Sequence, residues 1–435
     1  MSYRALALLL STLGLTGCLF FVPMPDTTLR THAEVAAVAA PLDERGVARW
    51  REAGQIMRQV LIKKHPAPWF RLSKLEFDHE VEALERDLTH LTERQAILRW
   101  KLIFSALGDE HTDLWEGATG TQLWPLQIRI VPSGVFITDA DQSLKGLLGA
   151  RIIRVAGQPV ATFLASLEAF SPATVTTYKT AKAEQHFPFG WIWLKETDRL
   201  AAGSEPTIEV QHADGQTEIR KIPLFDRKDV QWTSLQPSVA LLRNADSKQN
   251  YSHRFIEDGR TLYLRYGYCQ NQEGQASVWS FTGQVQQEAK NASVKRIIVD
   301  LRGNGGGNSL LFWRMARWIR KNPAFSRPNG TLVLTDSGTF SSGFMAAMEL
   351  QRAGAKLIGG GPGQPMNAYG DIRFTKLGDL RPVFGCSTKT FINEPGDPTA
   401  WHRSLKVNVP MDETREDVLG MTDSVLTAAL NTPFP

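Results

Sequence analysis

The chain of 435 residues carries three cysteines, and only Cys269 and Cys386 lie beyond its N-terminal stretch. So little sulfur excludes a disulfide-built scaffold, although an exported chain could still pair Cys269 with Cys386, and that pairing is kept as an expectation. No Cys/His spacing has the pattern of a zinc site, no HExxH occurs, and no glycine loop ends in Lys-Ser/Thr. No metal and no cofactor is therefore expected. Lysine and arginine are spread rather than clustered among aromatics, and the formal net charge is only +4. Nucleic acid is not an expected partner. The apolar run over residues 5–15 is too short to span about 30 Å of hydrocarbon.

That run does have another meaning. Arg4 precedes it and Leu15, Thr16, Gly17 and Cys18 follow it. This is the layout of a secretory signal, and its end resembles a bacterial lipobox in which Cys18 is lipidated and becomes the mature N-terminus. Residues 1–18 are then a lipoprotein signal peptide and 19–44, rich in Pro, Ala and Thr, a linker. The expected location is the bacterial cell envelope, with the exported chain anchored by lipid to a membrane facing the periplasm or the exterior.

The whole sequence is 42% apolar and 22% charged, a globular composition with room for two or three domains. Residues 45–115 read as a helical module. Ser73 with Glu76 and Thr92 with Gln95 each match a capping box, and Phe77, Val81, Leu84, Leu88 and Leu91 keep a helical core spacing. The module ends in LGDEHTDLW, which carries His111. A loop histidine beside carboxylates can act as a general base, since a nearby negative charge favours the imidazolium. By residue type alone a solvated or capping histidine is the stronger reading, and only the later motifs reverse it. Residues 120–225 read as β-rich: an apolar run at 135–138, the segment GARIIRVAGQPV, and a hairpin signal at Asp214-Gly215. Within them QHFPFGWIWL, residues 185–194, is unusually aromatic and reads either as a pocket or lid lining or as a core patch.

Two later stretches, RIIVDLRGNGGGN over residues 296–308 and TDSGTFSSG over 335–343, organise the rest. Ile297, Ile298 and Val299 are a continuous apolar run, as a strand buried on both faces requires. Leu311, Met315, Trp318 and Ile319 then recur at helical spacing, residues 331–334 form a second strand, 344–352 a second helix and 356–358 a third strand. This βαβαβ order makes the strands parallel and brings the glycine loop and the serine loop out at the same edge of the sheet.

The segment GARIIRVAGQPV resembles the strand-turn core of a PDZ-like domain, and taken together GDEHT, this PDZ-like segment, DLRGNGGG and TFSSG resemble, in that order, the tail-specific or C-terminal processing serine peptidases. The likeness is to the lysine-less branch that includes the tricorn core and the modules of interphotoreceptor retinoid-binding protein. It implies an α/β fold with a crotonase-like (ClpP-like) ββα spiral core over 255–430, a helical N-terminal module and a PDZ-like β-rich segment. It also implies a serine-type peptidase acting on peptides or proteins, possibly near their C-termini. Matched onto the family's motif, Ser341 is the nucleophile and Ser342 supplies an oxyanion-hole N–H, with a second donor from Gly306 or Gly307.

Two departures matter. The region 358–370, IGGGPGQPMNAYG, has no lysine to serve as base, which makes His111 the preferred one, and Phe344 stands where members often have Glu. The supporting acid is open among Glu394, Asp397, Asp412 and Glu413, with Glu394 taken first. Asp300 and Asp336 are read as loop supports. The rival readings are a non-catalytic binder of apolar ligands or peptides on the same fold, and a crotonase-like acyl-CoA enzyme.

Overall fold

Two reciprocal caps frame the N-terminal helices. Ser73 Oγ accepts from Glu76 N at 3.2 Å while Glu76 Oε2 accepts from Ser73 N at 2.9 Å, and Thr92 and Gln95 exchange the same pair of bonds. Each box satisfies amides that a helix start leaves open. The molecule is described from a computed structural model covering residues 33–34, 37, 39–115, 122–172, 174–239, 241–246, 248–292 and 294–435. The expected signal peptide with Cys18, and much of the 19–44 linker, lie outside the described residues. Among the described residues no helix is long and apolar enough to cross a membrane.

The chain divides into two compact units. The first contains the described residues up to Leu107, together with the stretches that begin at His111 and Tyr369. Its helices Glu44–Lys64, Lys74–Asp87 and Glu93–Leu107 bury Trp50, Met57, Phe77, Val81, Trp100 and Phe104. The spacing expected for Phe77, Val81, Leu84 and Leu88 is this core stripe. Strand Asp113–Trp115 pairs antiparallel with Val383–Cys386, which pairs with Arg373–Lys376, and Phe104 stacks on Phe384 at 4.8 Å.

The second unit is built on a six-stranded sheet. Its strands are β1 (Tyr251–Ile256), β2 (Thr261–Tyr266), β3 (Arg296–Asp300), β4 (Thr331–Thr335), β5 (Lys356–Gly359) and β6 (Val409–Pro410), in that spatial order. Only β1 is antiparallel to its neighbour. Helix α1 (Val278–Asn291) joins β2 to β3, α2 (Trp313–Lys321) joins β3 to β4, and α3 (Ser342–Arg352) joins β4 to β5. Every residue of β3 and β4 is buried, as continuous apolar runs demand. Asp300 of β3 lies opposite Leu334 of β4, so both strands end level and release the glycine and serine loops at one edge. The βαβαβ expectation is met element by element.

The same unit holds an antiparallel sheet of Leu126–Val131, Gly134–Asp141, Arg151–Val155, Thr207–Gln211 and Thr217–Lys221, the last two joined by the expected hairpin. One expectation is corrected within it. Residues 160–196 are largely helical, as Val160–Leu167 and Thr176–Glu196, and QHFPFGWIWL is the second of these helices. Phe187, Pro188, Gly190, Trp191, Ile192, Trp193 and Leu194 are all buried, so no polar face exists to give a helical period. Trp124 gathers Phe163, Phe187 and Trp191 within 6.3 Å, and Gly190 leaves room for Phe163 and Leu167, whose atoms would lie 3.0 Å from a Cβ. The aromatic stretch is core.

Candidate active site

The glycine loop and the serine loop are tied to each other before any chemistry is considered. Asp336 Oδ1, at the end of β4, accepts from Gly303 N at 2.8 Å and from Gly338 N at 2.9 Å, one amide from each loop. Asp300 is fully buried between Tyr263 Oη, which donates to it at 2.7 Å, and Arg302, which also bonds Asp423. Burial alone would raise the Asp300 carboxyl, but Arg302 holds it below its ordinary value. Both aspartates support loops.

Asn304 is the clamp between them, a role that no sequence pattern marks. Its Oδ1 accepts from Gly306 N at 3.0 Å, its Nδ2 donates to Tyr266 O at 2.7 Å, and its carbonyl accepts from Phe340 N at 2.9 Å. A Cβ at Gly343 would lie 2.4 Å from that carbonyl oxygen. Gly343 has no positive φ, so its requirement for glycine is one of contact alone. Gly343→Ala is expected to wedge the two loops apart at a cost of about 1 to 3 kcal/mol, the usual range for overpacking. A lowered urea midpoint at unchanged m-value would register it.

Ser341 stands at the entrance to α3 with φ 51° and ψ −121°, a backbone conformation that favours glycine. Its N–H is held by Gln364 Oε1 at 2.9 Å, and Gln364 is itself buried. Gln364 belongs to the region noticed only for its missing lysine. Gly306, at φ 107°, presses on the serine: a Cβ there would sit 2.6 Å from Ser341 Cβ, 3.1 Å from its Oγ and 3.0 Å from Ser342 N. A residue in so strained a conformation, fixed by a buried side chain and approached by bare backbone, is what a pre-organised nucleophile looks like.

The donors around Ser341 are unequal. Gly306 N–H is committed to Asn304. Among the described residues neither Gly307 N–H nor Ser342 N–H has an acceptor, and Ser342 is the first residue of α3, where helices leave amides open. Ser342 Oγ donates to Gly307 O at 2.7 Å and so fixes the loop that carries Gly307.

Cys269 adjoins this loop but is no competitor for the serine. Its carbonyl accepts from Asn308 N and its N–H donates to Gly306 O. Burial pushes its thiol up to about 11, with its hydrogen bonds to the Tyr266 and Asn304 side chains opposing. The expected Cys269–Cys386 pairing is corrected: the two are separate buried thiols, Cys269 Sγ against Asn304 Oδ1 at 3.5 Å and Cys386 Sγ against Ser387 O at 3.4 Å. They also belong to different compact units.

His111 is buried in the first unit, between the helix that ends at Leu107 and the strand that begins at Asp113. Glu394 is in the second unit, with its carboxylate on Arg403 and its N–H on Asn367 Oδ1. Among the described residues no group of His, Cys, Asp and Glu is placed to hold a metal ion.

Glu110, next to His111, has an environment of its own. Thr174 donates to its Oε1 from both N and Oγ1, and Tyr178 Oη donates to its carbonyl at 3.2 Å. Burial raises its pKa to about 8; the Thr174 hydrogen bonds oppose the rise and the Asp109 charge adds to it. The folded chain therefore keeps a proton that the unfolded chain, with an ordinary value of 4.5, has already released. The resulting stability is fully present below pH 4.5 and is lost as pH rises through about 8. Glu110→Gln, which imitates the protonated acid, should flatten this decline. Thermal melts across that window would show wild type losing Tm toward alkaline pH and the variant losing less.

No protein-family model and no curated protein matches the sequence. Solved structures do. Mature CPAF in complex with lactacystin superposes at TM-score 0.60 with 11% identity, covering 88% of this chain and 98% of that chain. A serine-to-alanine mutant of CPAF superposes at TM-score 0.59 with 12% identity, over 89% and 99%. The photosystem II D1 C-terminal processing protease superposes more loosely, at TM-score 0.42 and 13% identity over 84% of this chain and 93% of that one. At such identities the likeness is one of fold: the chain is a mixed helix and sheet protein with the fold of mature CPAF.

Proposed function

We propose that the protein is a serine-type peptidase in which Ser341 is the acylated nucleophile. The observation that carries this reading is the strained Ser341 backbone, pinned by Gln364 and flanked by the uncommitted N–H groups of Gly307 and Ser342. In the proposed reaction Ser341 Oγ attacks a peptide carbonyl and His111 takes the hydroxyl proton. The oxyanion is received by the Gly307 and Ser342 amides, since Gly306 N–H is spent on Asn304. Collapse expels the amine, which leaves with the proton from the imidazolium, and water then releases the acid from the acyl-enzyme. Glu394, committed to Arg403, is given no step in this scheme.

Peptides or proteins are the proposed substrates, with the antiparallel segment as a PDZ-like platform that takes a chain end by strand addition next to a crotonase-like core. Export and anchoring through Cys18 complete the reading. A serine-reactive fluorophosphonate tests it: a mass adduct localised to Ser341 supports the peptidase, whereas an inert Ser341 in folded protein with a co-purifying lipid would make the chain a binder.

A further inference from the structure

Just beyond the glycine loop the surface becomes unusually apolar. Tyr268 is 43% exposed, Leu310 63%, Trp313 48% and Trp279 57%. The residues are linked physically as well as by sequence. Asn308, the last residue of the glycine stretch, caps Leu310 N at 3.0 Å, and Tyr268 lies 3.8 Å from where a Cβ on Gly305 would be. Arg314 donates to Trp279 O at 2.9 Å and places its guanidinium 4.5 Å from that indole ring, while Arg317 lies 5.4 Å from the Trp313 ring. The patch thus combines Tyr268 and Leu310, beside the glycine loop, with aromatic and cationic groups on α1 and α2.

Its charge is one-sided. Helix α2, WRMARWIRK, carries Arg314, Arg317, Arg320 and Lys321 and no carboxylate. Among the described residues none of these four is in an ion pair. Cations left without counter-ions beside uncovered indoles favour a partner that brings both carboxylates and apolar side chains.

We propose that this face docks the substrate polypeptide on one side of the scissile bond and selects segments in which Asp or Glu alternates with apolar residues. The inference rests on the peptidase reading and names its substrate class. Continuity with the glycine loop supports a polypeptide as occupant, because a chain whose carbonyl meets Gly307 has to leave the loop across a neighbouring surface. The apolar groups are spread over a loop and two helices rather than along one stripe of a single helix, which is not the form of a membrane-surface helix.

The test uses full-length Ser341→Ala protein and two fluorescein-labelled peptides of about twelve residues, one alternating Leu and Phe with Asp and Glu, the other with Lys in place of the acids. Anisotropy should show the acidic peptide bound about tenfold more tightly, a difference of about 1.4 kcal/mol. Arg317→Glu and Trp313→Ala should each remove most of that preference, and raised salt should weaken the Arg317-dependent share. Fluorophosphonate labelling of Ser341 in the single Arg317→Glu protein checks that the site is intact. Equal binding of the two peptides, or binding indifferent to both substitutions, overturns the proposal. Sedimentation with phosphatidylglycerol vesicles that Arg317→Glu abolishes, without peptide binding, also overturns it and assigns the face to a membrane. Equal binding of the two peptides by the Ser341→Ala protein, with Ser341 labelled in the unsubstituted protein, refutes the docking surface alone. Peptide selectivity with an unreactive Ser341 refutes the peptidase reading alone.

Discussion

Ser341→Ala is expected to lower peptide turnover by roughly four to six powers of ten, the scale at which removal of a nucleophile silences a serine hydrolase. The size follows from the absence of a substitute. Ser342, the adjacent hydroxyl, is buried and spends its Oγ on Gly307 O. The Cys269 thiol is held protonated by burial, well above neutral pH. What remains in the variant is the proposed pair of oxyanion donors and the proposed docking surface, so kcat should collapse while KM changes little. A second substitution separates chemistry from strain. At φ 51° glycine is at ease where serine and alanine are not, so Ser341→Gly should be as inactive as Ser341→Ala yet more stable than it by about 1 kcal/mol. Progress curves together with denaturant titrations of the three proteins check both statements. Turnover by Ser341→Ala within tenfold of wild type would remove Ser341 from the mechanism.

The ease with which parts of this molecule could be read from sequence follows the range of the interactions behind them. The caps at Ser73 and Thr92 span three residues and are visible as such. The β3, α2, β4, α3, β5 unit was legible because each strand is an uninterrupted apolar run and each loop is marked by glycine and serine. The helix Thr176–Glu196 was hidden for the opposite reason. It is buried on every side around residues 187–194, has Pro188 inside it and is rich in residues that also suit strands. Asn304 and Gln364 escaped notice because one amide side chain in a glycine-rich loop looks like a turn former, and only the folded chain shows what it holds. Ser341 could be singled out by motif, but the distinction between Gly306 and Gly307 as donors needed the Asn304 hydrogen bond. Nothing in the sequence linked Arg129 to anything.

Arg129 is where the second large effect is expected. Its guanidinium, on strand Leu126–Val131, meets Glu184 at 2.9 Å, Glu413 at 2.7 Å and Asp336 at 3.3 Å, partners 55, 284 and 207 positions away. Arg243 shares Glu413. The carboxylate side chains are only 11 to 13% exposed. Burial would raise Glu413, but Arg129 and Arg243 overcome it and hold the acid low, whereas at Glu184 burial prevails and the pKa is raised. Arg129→Met removes the shared cation from three acids that water cannot fully reach. Loss of one partner of a buried pair costs about 3 to 5 kcal/mol, and since the Arg129 side chain is 28% exposed a loss of roughly 2 to 4 kcal/mol is expected. The pH dependence gives the cause away. Without Arg129 the Glu184 carboxyl, already raised by burial, loses the charge that opposes the rise, so the variant should lose stability as pH climbs from the ordinary carboxylate range through the raised folded value. Adding Glu184→Gln should restore part of the loss at pH 8 and little at pH 5. Turnover should fall as well, because Asp336 bonds Arg129 through Oδ2 and the amides of both active-site loops through Oδ1. Melts of the single and double variants at the two pH values decide it: no deficit would mean that the ion network carries no energetic weight, and a pH-independent deficit that its weight does not come from the charge on Glu184.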